Sequence, residues 1–481
     1  MLAAVGIAAR LAAARGVDPF PAPLLVGLLV SAAGPHQALR PAAEITRVGA
    51  GIAVVVLLFC LGLDHGAADR RTAAATLPAG LALAVDAGLN FVPGAVFGLL
   101  AGFGPIGAVL LGGVTGGSSW AVASATLDRQ GRFANRETPA ALAVLVTEHA
   151  AVAVYLPLAA ALLVPGDTAS RLTALLGSAA AVGAAWLVFA PQPVLPPGLV
   201  ARLRPAGRPG LLAHLPPGGR PGLLAGPASG VSLGLILAGT ALAVAGVAAA
   251  LGVAAAGVAY LAGAALASHE AWAELPGVRP TLAALRDLSA TAAALALGLL
   301  VPGAKLPGAV AGGVVLAAMT AATKVLTGWW AAGRLHVPGP SAAVGAPGLR
   351  APGPAASSGA PALRTPGPAA PVGEVGGLRR SAPAVPIGRA GRVRAGLALV
   401  PRGELAVAVG ILAALAGPGR GPGTGLAALA SVEVVLTGAV ATAATLGLLL
   451  LPRGNDDGRP GWYRWTVPTP AAARPEPPGA G

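Results

Sequence analysis

Long apolar runs recur along the whole chain, and the polar breaks between them are short. The runs fall at residues 1–15, 21–34, 46–63, 74–101, 106–127, 138–164, 169–190, 229–250, 253–267, 286–304, 309–333, 394–417 and 424–452. A helix needs about 20 mostly apolar residues to cross the hydrocarbon core of a bilayer. The pattern therefore predicts an all-α polytopic membrane protein of about 13 transmembrane helices. Composition agrees: 55% of the 481 residues are hydrophobic and 10% are charged, whereas a soluble domain is about 25% charged. Met1–Ala14 reads as a first span rather than a signal peptide, since no cleavage signal follows it. Cys60 is the single cysteine, so no disulfide can form within the chain, and it reads as a small buried hydrophobe.

The formal charge of +14 does not point to nucleic acid. The arginines sit between apolar runs instead of clustering on one amphipathic face. Arg70 and Arg71, then Arg129, Arg132 and Arg136, then Arg202, Arg204, Arg208 and Arg220 occupy alternate loops, as do Arg279 and the arginines between Arg350 and Arg392. The positive-inside rule puts these loops and the C-terminus in the cytoplasm. Residues 192–227 and 337–390 are rich in Pro, Gly, Ala and Arg and read as disordered cytoplasmic loops of a transmembrane domain over 1–452, with a disordered tail at 453–481.

Ionisable residues within spans are costly and mark function by default. The candidates are Asp86, Glu148 and His149, Lys324, Arg402 with Glu404, and Glu433. Asp64 and His65 read as an ordinary helix terminus. Two spans are interrupted, one by Gly112-Gly-Val-Thr-Gly-Gly-Ser-Ser-Trp120 and one by Ala398-Leu-Val-Pro-Arg-Gly-Glu-Leu405, about half a chain apart. Paired broken helices in corresponding halves point to an ion site between inverted repeats, because half-helix ends present bare carbonyls and partial charges. Glu404 beside Arg402 reads as an internal pair. No metal-ligand spacing or diphosphate-binding motif suggests an enzyme or a cofactor. A cation channel would need a continuous polar path, and the sequence offers one polar cluster at mid-depth.

These motifs resemble the monovalent cation:proton antiporter-2 family, the potassium-efflux type with a sodium/hydrogen-exchanger-like membrane domain. The resemblance runs through Leu57-Leu-Phe-Cys-Leu-Gly-Leu-Asp64, Gly112-Gly-Val-Thr115 with Ser118-Ser119, Asn135-Arg-Glu-Thr-Pro139, Thr147-Glu-His149 and on to Pro157. It continues through Leu251 to Ala265, Leu285-Arg-Asp-Leu288, Thr323-Lys-Val-Leu-Thr-Gly-Trp-Trp330 and Leu399-Val-Pro-Arg-Gly-Glu-Leu405. It implies a fold with two discontinuous crossing helices in a core bundle, a second bundle that dimerises, and exchange of potassium or sodium for protons across the cytoplasmic membrane. A separate cytoplasmic regulatory subunit is a partner in part of the family. The implied cation and proton site comprises Glu148, His149, Thr115, Ser118 and Ser119, with Lys324, Glu404, Arg402 and Asp86 as supporting charges.

The chain departs from the family where an Asp is normal: His149 stands there, after Glu148. Trp120 replaces a small residue, and Ala125 stands near a common Lys position. Imidazole offers nitrogen to a hard alkali cation and repels it when protonated. Three readings follow. Glu148 serves as the exchanging carboxylate with His149 beside it; or the protein senses protons as a transport-defective regulatory subunit; or Glu148 and His149 form a structural pair. The first reading predicts that Glu148→Gln abolishes cation-dependent proton flux in everted vesicles while His149→Asp raises it. Flux retained in Glu148→Gln contradicts it.

Overall fold

The computed structural model describes residues 21–33, 40–72, 79–132, 135, 137–164, 166–189, 229–267, 278–334, 387–416 and 423–450. The first apolar run, the 192–227 and 337–390 loops and the 453–481 tail lie wholly or almost wholly outside them, as do Arg70, Arg71, His65 and Arg129 as side chains. The described residues form helices α1 Pro21–Ala33, α2 Arg40–Thr72, α3 Ala79–Asp86, α4 Val92–Leu100, α5 Gly104–Gly116, α6 Trp120–Arg129, α7 Thr138–Leu162 and α8 Thr168–Phe189. They continue as α9 Ser229–Ala250, α10 Ala255–Ala267, α11 Val278–Leu300, α12 Leu306–Arg334, α13 Arg389–Leu399, α14 Glu404–Leu415 and α15 Gly423–Leu450. No strand occurs among the described residues.

Each apolar run after the first coincides with a helix or a collinear pair. Nine of the described stretches are long and apolar enough to cross a membrane, and α1 and α10 are shorter apolar helices. Their outward faces carry bare aliphatic side chains, such as Ile45, Val48, Leu176, Val231 and Leu235, each more than half exposed. Such surface is stable against lipid and not against water. The chain is a multi-pass membrane protein.

Two spans break where the sequence places glycine, serine and proline. Between α5 and α6, Gly117, Ser118 and Ser119 leave the helical path; between α13 and α14, Val400, Pro401, Arg402 and Gly403 do so. A third irregularity lies in the 74–101 run. There a π turn, Ala87–Phe91, separates α3 from α4. Pro93 follows it and cannot donate a backbone hydrogen bond to the preceding turn, so a widened turn is the accommodation a helix has available. At the end of the α7–α8 connection, Asp167 caps α8 by accepting from the Ser170 N–H at 2.8 Å. The Ser170 amide and hydroxyl together hold its carboxyl below the usual carboxylate range.

Glycines let the helices approach until backbones touch. Gly27 faces Gly298 between α1 and α11, Gly62 and Gly263 each meet the partner backbone between α2 and α10, and Gly328 faces Gly396 between α12 and α13. Close backbone approach favours association where lipid supplies no hydrophobic drive. Cys60 is buried in the α2 seam beside Phe59 and Leu63.

A Cβ added at Gly328 would meet the Ala395 carbonyl carbon at 2.7 Å, whereas one at Gly246 of α9 meets nothing within 4 Å. Gly328→Ala is expected to lower stability by about 1–3 kcal/mol, read as earlier thermal unfolding in detergent. Gly246→Ala is expected to leave the transition in place or raise it.

Candidate functional site

The two breaks meet. The Ser119 N–H donates to Pro401 O at 2.8 Å, so the unwound segment of one span supplies the acceptor for the other. Arg402, fully buried, donates through Nη1 to Gly117 O and through Nη2 to Thr115 O, at the carbonyl end of α5. A guanidinium there offsets the partial negative charge of a helix C-terminus and uses the carbonyls that the break frees. Glu404 opens α14 and accepts from Ser119 Oγ at 2.8 Å. The Arg402–Glu404 ion pair expected from their spacing does not form. The arginine turns to the α5 carbonyls because they are unsatisfied, and the glutamate turns to Ser119.

Glu148 arrives at the first break from mid-α7 and is 3% exposed. Its Oε2 accepts from the Ser118 N–H at 2.5 Å and its Oε1 from Ser118 Oγ at 3.1 Å. The same Oε1 lies 2.8 Å from Lys324 Nζ. Lys324 comes from α12 and is fully buried. Its ammonium also touches Asp86 Oδ1 at 2.8 Å and Gly116 O at 2.6 Å. All three hydrogens of the ammonium are thus engaged, by two carboxylates and one break carbonyl. Asp86, Lys324 and Glu148, which the sequence offered as separate candidates on three spans, form one buried chain of charge.

The sequence reading missed Asn90. Its Nδ2 donates to Asp86 Oδ1 at 2.8 Å and to Thr327 Oγ1 at 3.0 Å, and its Oδ1 accepts from Thr323 at 2.7 Å. Asn90 lies in the π turn, and Thr323 and Thr327 flank Lys324 on α12. Asn90 follows Asp86 by four residues in an apolar span, a spacing that puts both on one face and that would have flagged it. Thr115 donates to Asn90 O at 2.9 Å and to carbonyls of its own helix, so its hydroxyl is directed to backbone.

His149 is buried but takes the other direction from α7. Its ring packs edge-on against Trp120, with centroids 5.5 Å apart, and Tyr260 donates to its carbonyl at 3.3 Å. Adjacent residues on a helix point about 100° apart, and here that separation puts the glutamate on the Ser118–Lys324 side and the histidine on the Trp120 side. The large Trp120 at the start of α6 is the surface on which the imidazole rests.

Two further ion pairs join motifs that the sequence treated separately. Asp64, expected to be an ordinary helix terminus, pairs with Arg286 of α11 at 2.9 Å. Arg394 in the middle of α13 pairs with Glu137, which also accepts from Asn135 at 3.0 Å. This second pair ties the foot of α7 to the middle of α13.

No family model matches the chain. It is 29% identical over 204 residues to the "K(+)/H(+) antiporter subunit KhtU" of Bacillus subtilis (strain 168), a match covering 41% of this chain and 49% of that protein. The aligned part therefore spans about half the length of this curated relative. Among solved structures, the sodium proton antiporter MjNhaP1 from Methanocaldococcus jannaschii at pH 8 superposes with a TM-score of 0.53 over 94% of this chain and 95% of its own, at 13% identity. The structural likeness shows the fold alone.

The charge chain makes a separable prediction. Lys324→Met leaves the Asp86 and Glu148 carboxylates buried with no cation between them. Breaking a buried pair in this way costs about 3–5 kcal/mol, so the variant is expected to unfold markedly earlier on heating in detergent. Adding Asp86→Asn is expected to restore part of the loss.

Proposed function

We propose that this chain is a secondary-active antiporter that exchanges a monovalent cation, potassium or sodium, for protons by alternating access around Glu148. The observation that carries the proposal is the position of Lys324 Nζ, bridging Glu148 Oε1, Asp86 Oδ1 and Gly116 O. An ammonium is a monovalent cation in a cage of oxygens. The oxygens that surround it are the hard ligands that sodium or potassium takes, and Ser118 adds a hydroxyl on Glu148.

Charge counting supplies the exchange rule. Asp86 and Glu148 ionised with Lys324 protonated sum to one negative charge. One proton or one alkali cation brings the cluster to neutrality, and the two together leave it positive in a low-dielectric seam. Each therefore excludes the other, which is the requirement for coupled antiport. A cation that takes Glu148 Oε1 and Gly116 O displaces Lys324 toward Asp86, where Asn90 holds the carboxylate in place. The Ser118 amide and hydroxyl keep Glu148 aimed at the break through both halves of the cycle. His149 contributes no oxygen. On this reading it shapes the site through Trp120, and the exchanging carboxylate is its neighbour.

The Bacillus subtilis relative is named as an antiporter subunit. For this chain we include a homodimer, location in the cell membrane with a cytoplasmic C-terminus, and a separate cytoplasmic regulatory subunit in the proposal. The relatives named are transporters, which is consistent with a transporter rather than an enzyme.

Proteoliposomes carrying the purified protein test the proposal through the dequenching of a pH-sensitive dye on addition of sodium, potassium or lithium across a pH series. Saturable, cation-dependent proton flux that disappears in Glu148→Gln is expected. Cation flux that is non-saturable and independent of a proton gradient would assign a channel, and the absence of any flux would assign a regulatory subunit.

A further inference from the structure

The exchange cycle makes no use of Glu433, the one ionisable side chain on α15. Glu433 is fully buried, and its carboxyl oxygens have no hydrogen-bond partner among the described residues beyond the Thr320 hydroxyl at their side. The same holds for Arg402 Nε, in the guanidinium whose other two nitrogens grip Gly117 O and Thr115 O. Arg402 is the charged group whose field acts on Glu433. The Thr320 hydroxyl of α12 lies beside the carboxyl but gives its proton to Leu316 O. One turn further along the same face of α12 stands Lys324, committed to Asp86 and Glu148.

The other elements packed on α15 bring no competing partner. α1 and α5 carry no titratable side chain. Glu404 of α14 is held by Ser119, Arg286 of α11 by Asp64 with Asp287 at its side, and Arg394 of α13 by Glu137; Arg392 of α13 lies over Trp329, and Arg389 of α13 and Lys305 in the turn before α12 are exposed. α12 closes the seam on the remaining side, where a Cβ on Gly313 would lie 3.5 Å from the Glu433 amide nitrogen. In so dry a seam an ionised carboxylate with no donor but a shared hydroxyl is far costlier than the neutral acid, unless a cation moves onto it.

We infer that Glu433 is a second proton-binding site, exchanging its proton against the grip of Arg402 on the α5 carbonyls. With the proton on the Glu433 carboxyl, Arg402 stays on Gly117 and Thr115. When the O–H bond breaks and the proton leaves to water, the carboxylate draws in the guanidinium, which keeps its own charge, through the unengaged Nε. Gly117 O and Thr115 O are then released. These carbonyls flank Ser118, which positions Glu148, so a proton on α15 changes the backbone of the cation site. The inference rests on the exchange reading above for its transport consequence, but the proton site itself does not.

Infrared difference spectroscopy of the full-length protein in lipid, recorded across a pH titration, reads each protonated carboxyl by its C=O stretch. Glu433→Gln is the near-isosteric variant, and Glu433→Asp retains a carboxyl. The expected result is one protonated-carboxyl band that is lost in Glu433→Gln and shifted in Glu433→Asp. In proteoliposomes, the gradient at which flux reverses is expected to move in Glu433→Gln by the equivalent of one proton per cation. A difference spectrum identical to wild type in Glu433→Gln overturns the inference, as does a spectral change with no move in the reversal gradient of an active exchanger. Should the wild type show no exchange, the function proposed above fails, and the infrared arm still decides for or against the proton on Glu433.

Discussion

An ammonium held between two carboxylates is the contact from which the rest of the interior follows. Lys324 reaches Asp86 and Glu148 from a third helix, and all three groups are almost wholly withdrawn from solvent. Charges in that position persist only where every donor and acceptor is answered. The surroundings can be read as the set of answers: Asn90 for Asp86, Ser118 for Glu148, and Gly116 O for the remaining hydrogen of the lysine. Those answers need backbone that has left the helix, so the break at Gly117–Ser119 and the π turn at Ala87–Phe91 serve the same cluster from two sides.

The second break is supported in turn by the first. Arg402 and the Ser119–Pro401 hydrogen bond lock the two unwound segments to one another. A guanidinium suits this position because its fork can hold two carbonyls at once. The crossing is therefore a cross-bracing of satisfied backbone groups, which is what permits irregular chain at membrane depth. Close glycine contacts such as Gly328 with Gly396 bring α12, and with it Lys324, against the broken span.

Much of this was legible in the sequence. Continuous apolar runs located every described helix, since the bilayer imposes their length. The two breaks were visible as clustered glycine, serine and proline, and the buried charges stood out because an apolar background makes them conspicuous. What sequence could not supply was pairing. Nothing in the spacing of Asp86, Glu148 and Lys324 says that three distant spans converge on one oxygen cage, and nearness in sequence suggested an Arg402–Glu404 pair that the geometry does not make. The π turn was hidden because its cause, a proline one turn later, is as compatible with an ordinary first turn. Asp64 looked like a helix end because its partner, Arg286, is 222 positions away.

The central claim is that the Asp86–Lys324–Glu148 cluster accepts one alkali cation or one proton but not both. Calorimetric titration of the purified protein with potassium and sodium, repeated in buffers of different ionisation enthalpy, measures cation binding and proton release together. The account requires at least about one proton released per cation bound wherever the cluster starts protonated, with both signals lost in Glu148→Gln. Cation binding that releases no proton at any pH would contradict it.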